Sequence, residues 1–190
     1  MKENLLIWVN ENDEEIGFGE KMETHKSGQL HRAFSVFIFD VRSKKMLIQK
    51  RAVQKYHSGG LWSNTCCSHP YKEEMWCKAL KRCMNTELGI SLVFPEQADN
   101  SEYPPDIKYM GKFKYYSHYE ELAEYEIDYV FLYLPDENII NSISFNKDEI
   151  EEIKWISLKE LDIWLLENPE EFSAWFAEAY MLVKKAVYSL

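Results

Sequence analysis

The sequence lacks an apolar run long enough to cross a bilayer, and no cationic stretch followed by an apolar segment opens it. We therefore expect a cytoplasmic protein that does not enter a membrane. Cysteine is also scarce, and the residues Cys66, Cys67, Cys77 and Cys83 have neither the spacing of a disulfide framework nor that of a zinc finger. In a cytoplasmic setting we expect all of them to be free thiols, with Cys77 and Cys83 in the core.

Basic residues are outnumbered, since 22 Lys and Arg face 32 Asp and Glu and the formal net charge is −10. This charge argues against nucleic acid or an anionic membrane as a partner, because both repel an acidic surface. Internal repeats and linker-like stretches are absent as well. A length of 190 residues with 46% hydrophobic content predicts a single domain over 1–190 with a substantial core.

What the sequence does contain is a series of strand-like and helix-like segments. Strand patterns cover His31–Phe39, Met46–Arg51, Leu61–Cys66, Ile107–Tyr116, Glu124–Leu134 and Lys147–Ile156. Helical patterns cover Glu73–Leu88 and a last segment starting at Pro169, and Ser157 with Glu160 forms a capping-box pattern before a third helix. Residues Pro95–Pro105 are predicted as a surface loop. These patterns together predict an α+β fold.

The stretch from Leu61 to Ile90 carries the densest chemistry. Cys67 and His69 follow the predicted strand, and Glu87 lies one predicted helix away. Junctions between a strand, a loop and a helix often hold anions or metal ions, because N–H groups of the loop and first helical turn point outward. We therefore expect a ligand site at this junction.

The predicted strand Glu124–Leu134 has carboxylates on one face. Strict alternation places Glu124, Glu126 and Asp128 together. A solvent-facing side of an edge strand would have this pattern, and so would a site for a divalent ion. Periodicity alone leaves both interpretations open.

The predicted helix resembles the Nudix box, a signature of pyrophosphohydrolases. Its positions are occupied by Ser68, Glu74, Arg82, Cys83, Thr86, Glu87 and Gly89. Two of the three clustered carboxylates that hold magnesium in Nudix hydrolases are missing here. We therefore interpret the box as a scaffold and do not expect hydrolysis by the usual Nudix route.

A wider set of residues resembles one Nudix branch, type I isopentenyl diphosphate isomerase. The shared features are LIQKRAVQKYHSGGLWSNTCCSHP (47–70), the pair His25 and His31, ELAEYE (121–126) and FSAW (172–175). They follow the family's order over most of the chain, and Trp-x-Asn-x-Cys-Cys-x-His-Pro with a later Glu-x-Glu is a specific combination. The resemblance implies a Nudix-type fold, a mixed sheet flanked by helices. It also implies metal-dependent isomerisation of isopentenyl diphosphate to dimethylallyl diphosphate through a carbocation-like state.

The resemblance further implies the roles of individual residues. Proton transfer would use Cys67 and Glu126 on opposite faces of the substrate, Glu126 with Tyr109 protonating the terminal carbon and Cys67 removing the C2 proton, while Trp175 stabilises the cation. The ligands of a Mn²⁺, Mg²⁺ or Zn²⁺ ion would be His25, His31, His69, Glu124 and Glu126. A second ion, Mg²⁺ bridging to the diphosphate, would be bound by Glu87 and the Cys67 carbonyl, and the phosphates would contact Lys21, Arg51 and Lys55.

Three positions depart from the pattern of the resembled family. Ser68 replaces the Gly of the box, which would strain the backbone if the position has a positive φ. Gly59 stands where the family usually has Pro, so we expect a looser loop, and Cys83 stands where bacterial relatives tend to carry a basic residue, so a phosphate contact is expected to be missing. Two alternatives stay open: a Nudix hydrolase of a nucleoside diphosphate derivative, and a non-catalytic Nudix-fold binding module.

Overall fold

The computed structural model describes residues 4–94, 103 and 106–190. The strands are β1 Leu6–Val9, β2 Glu15–Gly19, β3 His31–Asp40, β4 Lys45–Arg51, β5 Trp62–Ser63, β6 Cys66–Ser68, β7 Ile107–Tyr119, β8 Leu122–Tyr133 and β9 Ile150–Ser157. The helices are α1 Lys21–Ser27, α2 Trp76–Leu88, α3 Glu137–Ser142, α4 Leu158–Glu167 and α5 Phe176–Tyr188. Across the described ranges, no helix has both the length and the apolar character needed to span a bilayer. The loop predicted over Pro95–Pro105 lies outside the described residues, apart from Tyr103.

Strand β3 is the centre of a mixed sheet. It pairs antiparallel with β1, β4 and β6 and parallel with β8, so strands far apart in sequence meet along it. In the parallel pairing His31 lies opposite Glu126, and in the antiparallel pairing Ser35 lies opposite Cys67. One strand therefore aligns the histidine and cysteine segments of the sequence with the carboxylates of β8.

The sheet buries apolar side chains on both of its faces. Alternation along β3 sends Phe34 and Val36 towards a cluster that includes Leu80 of α2, and sends Phe37 towards a cluster that includes Phe176 of α5. A strand covered on both faces reads as a continuous hydrophobic run, as residues 33–39 do. The predicted α+β fold with a mixed sheet flanked by helices is confirmed.

Several sequence predictions of elements are confirmed with small shifts of their ends. The strands predicted from His31, Met46, Ile107, Glu124 and Lys147 correspond to β3, β4, β7, β8 and β9. The capping box at Ser157 is present: its hydroxyl accepts a hydrogen bond from the Glu160 N–H, and the Glu160 carboxylate accepts one from the Ser157 N–H. Strand β8 lies between β3 and β7, so it is not an edge strand.

The strand predicted over Leu61–Cys66 is wrong, because the segment forms two short strands with different partners. Strand β5 pairs with β4, and β6 pairs with β3. Between them the Thr65 hydroxyl donates to the Leu47 carbonyl at 2.5 Å and accepts from the Ile38 N–H at 2.8 Å. These side-chain bonds replace strand pairing where the chain passes from β4 to β3 as its partner. Cys67 consequently lies within β6 rather than after a strand.

Two helix starts were also predicted wrongly. Helix α2 begins at Trp76 rather than Glu73, because Glu73 has a φ of 59° and leaves the helical region. Helix α5 begins at Phe176, while Pro169–Glu171 forms a separate 3₁₀ turn. Helix α1, which the sequence patterns did not predict, is short and carries Lys21 and His25 to the sheet.

A β-bulge in β7 reverses which side chains face the carboxylates. The register shifts between Tyr109 and Gly111, where Gly111 has a φ of 121°. Before the shift Tyr109 lies opposite Phe131, whereas after it Tyr115 lies opposite Glu126. Since directly paired residues share a face, the two tyrosines lie on opposite faces of the sheet.

The loop between β4 and β5 is closed by backbone hydrogen bonds. The Arg51 N–H donates to the Leu61 carbonyl and the Gly60 N–H donates to the Arg51 carbonyl, both at 2.9 Å. A Cβ at Gly59 would lie 2.5 Å from the carbonyl oxygen of Val53. The missing side chain at Gly59 lets the backbone approach itself, and the expectation that the loop is looser than one with Pro at this position stays a prediction.

We predict that Gly59→Ala lowers the free energy of unfolding by about 1–3 kcal/mol, because the new methyl group forces the Val53 carbonyl to move. Urea denaturation measures the change. Val53→Ala is the matched control, since it trims an exposed side chain in the same loop and should stay within about 0.5 kcal/mol of the parent. Equal stability of the Gly59→Ala variant and the parent would contradict the prediction.

Candidate active site

A cavity of about 270 Å³ opens between β8, β6, α2 and the segment before α5. Strand β8 supplies carboxylates, β6 supplies a thiol, the residue directly after β6 supplies an imidazole, and α2 supplies a further carboxylate. The chemically active lining includes Lys21, Arg51, Lys55, His57, Cys67, His69, Arg82, Glu87, Tyr115, Glu124, Glu126, Asp128 and Trp175. A small acidic chain thus gathers four of its cationic side chains at one cavity.

Two fully buried histidines behind the cavity have fixed tautomers. The Nδ1 atom of His25 lies 2.7 Å from the Lys21 carbonyl, and that of His31 lies 2.7 Å from the Gln29 carbonyl. A carbonyl oxygen only accepts, so each Nδ1 carries the proton and each Nε2 presents a lone pair. Backbone contacts of this kind orient imidazoles that bind metal ions.

The carboxylate of Glu126 is where these imidazoles converge. Its Oε1 lies 3.1 Å from Nε2 of His69, 3.3 Å from Nε2 of His31 and 3.8 Å from Nε2 of His25. Its Oε2 accepts a hydrogen bond from the Tyr115 hydroxyl at 2.7 Å. The Tyr115 hydroxyl therefore favours the charged form of this buried carboxylate, while the Nε2 lone pairs of His25 and His31 face Oε1 as ligands of a shared cation would.

The two glutamates of β8 have opposite pKa shifts. Burial would raise the pKa of Glu126, but the neighbouring His31 and His69 imidazoles hold this pKa well below its usual range. Burial and the charge of Glu126 raise the pKa of Glu124 well above its usual range. The opposed shifts reflect two like charges buried side by side, which are costly unless a cation lies between them.

The His/Glu cluster fits a divalent metal ion. The atoms His25 Nε2, His31 Nε2 and Glu124 Oε2 are buried and make no hydrogen bond. Donor atoms of His25, His31, His69 and Glu126 all lie within 4.8 Å of one another. Unpartnered buried donors are costly unless a ligand satisfies them, and mixed imidazole and carboxylate sets suit ions such as Mn²⁺ or Zn²⁺.

The thiol of Cys67 lies on β6 beside a guanidinium group. Nη1 of Arg51 is 3.5 Å from the Cys67 sulfur. Burial raises the pKa of Cys67, and the charge of Arg51 offsets only part of this shift. Arg51 also lies over the ring of Trp175 at 5.2 Å, and the Trp175 indole N–H donates to the Asn64 side-chain oxygen at 2.8 Å.

Helix α2 carries Glu87 to the cavity. It also carries Arg82, whose hydrogen bonds hold the segment before the helix in place. The Arg82 guanidinium donates to the Glu74 carboxylate at 2.8 Å and to the His69 carbonyl at 2.8 Å. It also donates to the Ser68 hydroxyl at 3.2 Å. Ser68 does not have a positive φ, so the serine at the box position causes no backbone strain. Burial raises the pKa of Glu87 to about 7.

Most residues predicted from the sequence meet around this cavity, but Tyr109 does not. Its side chain is 43% exposed and packs against Tyr129 and Phe131 on the other face of the sheet. The bulge at Gly111 places Tyr115 beside Glu126 instead, so the prediction that Tyr109 lies near Glu126 is wrong. Gly111 was the only sequence signal of this change.

The structure also brings two residues to the cavity that sequence reasoning left without a role. Asp128 accepts a hydrogen bond from the Ser35 hydroxyl at 2.7 Å, and burial raises its pKa well above the usual range. His57 lies with Nδ1 3.0 Å from Oε1 of Glu124. Cys77 and Cys83 are both buried, as predicted, although Cys83 also lines the cavity.

Comparison with known proteins places the chain among Nudix proteins. The NUDIX domain model matches residues 29–176. Isopentenyl-diphosphate Delta-isomerase 2 of Aromatoleum aromaticum is 39% identical over 92% of this chain and 84% of its own length. Isopentenyl-diphosphate Delta-isomerase of Aliivibrio fischeri is 40% identical over 94% of this chain and 93% of its own length. A crystal structure from Deinococcus radiodurans has a TM-score of 0.65 at 15% identity, covering 95% of this chain and 98% of that one, which supports the fold.

We predict that Glu87→Gln stabilises the metal-free protein at about pH 8 and much less at about pH 5. Glu87 has a pKa of about 7 when folded against an ordinary value of 4.5, so the unfolded chain loses this proton first. The folding stability of the parent therefore falls as the pH rises from 4.5 to 7. The Gln side chain of the variant does not ionise, so the variant does not lose stability in this way. Thermal unfolding in the presence of a chelator measures the difference in stability between the variant and the parent at each pH. Glu167→Gln, at an exposed position in α4, is the control. A gain that is the same at both pH values would contradict the assignment.

Proposed function

The chain belongs to the Nudix family and, within it, to the isopentenyl-diphosphate Delta-isomerases, and from this membership we propose a metal-dependent proton-transfer mechanism at the cavity described above. The enzyme converts isopentenyl diphosphate into dimethylallyl diphosphate. One observation carries the mechanism: the thiol of Cys67, the carboxylate of Glu126 and the imidazole of His69 line a single cavity, and the imidazoles of His25 and His31 converge on Glu126 from behind it.

The diphosphate is assigned to the cationic side chains of the cavity. Lys21, Arg51 and Lys55 line it, and their charges offset those of the phosphate oxygens. Arg82 is less available, because its guanidinium is occupied by Glu74 and the His69 carbonyl. Lys55 pairs with Glu149 in the absence of substrate, so diphosphate binding would exchange one anionic partner for another.

Bound metal ions would supply the charge that this acidic chain lacks. A divalent cation held by His25, His31, His69, Glu124 and Glu126 would polarise the Glu126 carboxylate, and Mg²⁺ at Glu87 and the Cys67 carbonyl would neutralise phosphate oxygens. The protein's own part is to hold the ligands before the ion arrives. The fixed tautomers of His25 and His31 and the converging Oε1 of Glu126 support this role.

Moving the double bond requires one proton to be added and another to be removed. An isolated alkene is a very weak base, so its protonation passes through a carbocation-like state that water must not reach. We assign addition at the terminal carbon to the pair of Tyr115 and Glu126, whose hydrogen bond is 2.7 Å long and whose shared proton is the one that is transferred. Removal of the C2 proton is assigned to Cys67, and the nearby Arg51 guanidinium is the group that favours its thiolate form.

The aromatic ring of Trp175 is assigned to the cation. An indole face stabilises a nearby positive charge by about 0.5–2 kcal/mol. Trp175 is 3% exposed, and its indole N–H is held by Asn64, so the ring is oriented before substrate enters. The ring already lies under the guanidinium of Arg51 at 5.2 Å, a contact that supports the assignment of this ring to a cation.

A product assay tests the function directly. The protein is incubated with isopentenyl diphosphate and Mg²⁺ in D₂O, and dimethylallyl diphosphate carrying deuterium is expected. Phosphate release from nucleoside diphosphate derivatives, without isomerisation, would indicate a Nudix hydrolase instead. Binding of the diphosphate with no exchange of its C2 hydrogen would indicate a binding module.

We predict that Cys67→Ala loses at least about 10²-fold in turnover, because the thiol carries a proton in the reaction. The folded structure should persist, since Cys67 is only partly buried at the cavity wall. Cys77→Ala is the matched control, as it removes a buried thiol of α2 that does not line the cavity. Turnover of the Cys67→Ala variant close to that of the parent would remove this residue from the mechanism.

We predict that Tyr115→Phe and Tyr109→Phe behave differently. Loss of the Tyr115 hydroxyl removes the hydrogen bond to Glu126 and should lower kcat by about 10²-fold or more. Loss of the Tyr109 hydroxyl, on the opposite face of the sheet, should leave kcat unchanged. Steady-state kinetics of the pair measure this. The reverse ranking would restore the original assignment of Tyr109.

A further inference from the structure

A fourth histidine, His57, faces the metal cluster from the loop between β4 and β5. Its Nδ1 lies 3.0 Å from Oε1 of Glu124, yet this Nδ1 makes no hydrogen bond. Oε2 of Glu124 and Nε2 of His25 are also buried and have no hydrogen-bond partner. The imidazole nitrogen of His57 and the carboxylate oxygen of Glu124 approach closely without a hydrogen bond between them. This is the arrangement of two ligands that bind the same ion.

The side chain of His57 is held in this position by its surroundings. The ring is stacked on His25 with centroids 6.1 Å apart and packs edge-on against Tyr56 at 4.4 Å and Trp175 at 6.0 Å. The Arg51 guanidinium donates to the His57 carbonyl at 3.4 Å. His57 is 8% exposed, so it is part of the cavity wall rather than a surface side chain.

We propose that His57 is a further ligand of the metal centre, contributing Nδ1 beside Glu124 and giving this chain a fourth imidazole. Donor atoms of His25, His57 and Glu124 all lie within 4.8 Å of one another, and His25 links this group to the set around Glu126. The inference rests on the proposed metal centre and extends it to a residue that the resemblance did not assign.

The added imidazole changes the expected choice of metal. Imidazole nitrogen suits Zn²⁺ and Co²⁺, whereas Mg²⁺ prefers oxygen ligands and keeps several waters. A centre with four imidazoles should therefore bind Zn²⁺ and Co²⁺ more strongly relative to Mg²⁺ than a centre with three. Within the wild-type protein, Mg²⁺ at high concentration should fail to displace Co²⁺ from this site.

A role in aromatic packing alone would make different predictions. His57 contacts the rings of His25, Tyr56 and Trp175, and a phenyl ring can keep those contacts. His57→Phe therefore removes the nitrogen and keeps a ring. His57→Gln removes the ring and serves as a second variant if the first does not fold. His118→Ala is the control, since His118 is exposed on β7 and lies outside both ligand groups.

The experiment uses the full chain loaded with Co²⁺ and does not depend on turnover. Affinity is measured by titration, the ligand field by visible absorption, and the number of imidazoles by X-ray absorption. We expect His57→Phe and His57→Gln to bind Co²⁺ at least about tenfold more weakly, with a changed visible spectrum and one imidazole fewer. The His118→Ala variant should match the parent.

The outcomes separate this inference from the proposed function. An unchanged affinity, visible spectrum and imidazole count in His57→Phe would overturn the role of His57 while leaving the metal centre in place. A parent protein that binds no Co²⁺, Mn²⁺ or Zn²⁺ would overturn the metal centre and this inference together. The product assay decides the isomerase activity independently of both.

Discussion

The parallel pairing of β3 with β8 is the constraint on which the candidate site depends. Its register sets His31 opposite Glu126, although the two residues are far apart in the sequence. Because side chains alternate across a strand, a slip of one residue would turn Glu124, Glu126 and Asp128 away from the cavity and into an apolar cluster. The buried apolar residues on both sides of β3 and β8 therefore fix the position of the ligands as well as the fold.

This arrangement places polar groups where folding alone would not favour them. Burial raises the pKa values of Glu87, Glu124 and Asp128, so each of these carboxyl groups opposes folding once it is ionised. The unpartnered nitrogens of His25 and His31 add a further cost. Such a cluster has its rationale in binding, since a divalent cation would satisfy the same atoms that are costly without it.

Helix α2 has kept the structural role of the Nudix helix, whereas two of the three clustered carboxylates of Nudix hydrolases are missing from it. Arg82 still joins Glu74 to the backbone of His69, which positions the segment that carries Cys67. At a position where Nudix hydrolases have a carboxylate, this chain has Cys83, which packs in the same apolar cluster as Cys66 and Met84. Only Glu87 of the clustered box carboxylates faces the cavity, which agrees with one Mg²⁺ on a diphosphate rather than several ions around an attacked phosphate.

The sequence by itself determined the elements and the kinds of residue in the site. Local periodicity identified β3, β4 and β8, the capping box identified the start of α4, and motif resemblance identified Cys67, the three histidines and the two glutamates. These features depend on neighbours a few positions apart, so they are visible in a linear pattern.

Only the tertiary structure decided which residues meet. The bulge at Gly111 exchanged Tyr109 for Tyr115, and side-chain bonds of Thr65 divided one predicted strand into two. The loop closure at Gly59 and Gly60 brought His57 to Glu124, although nothing in their spacing links them. Strand register, bulges and loop closure depend on contacts between distant segments, and each shifts a side chain to another face without changing the local pattern that the sequence displays.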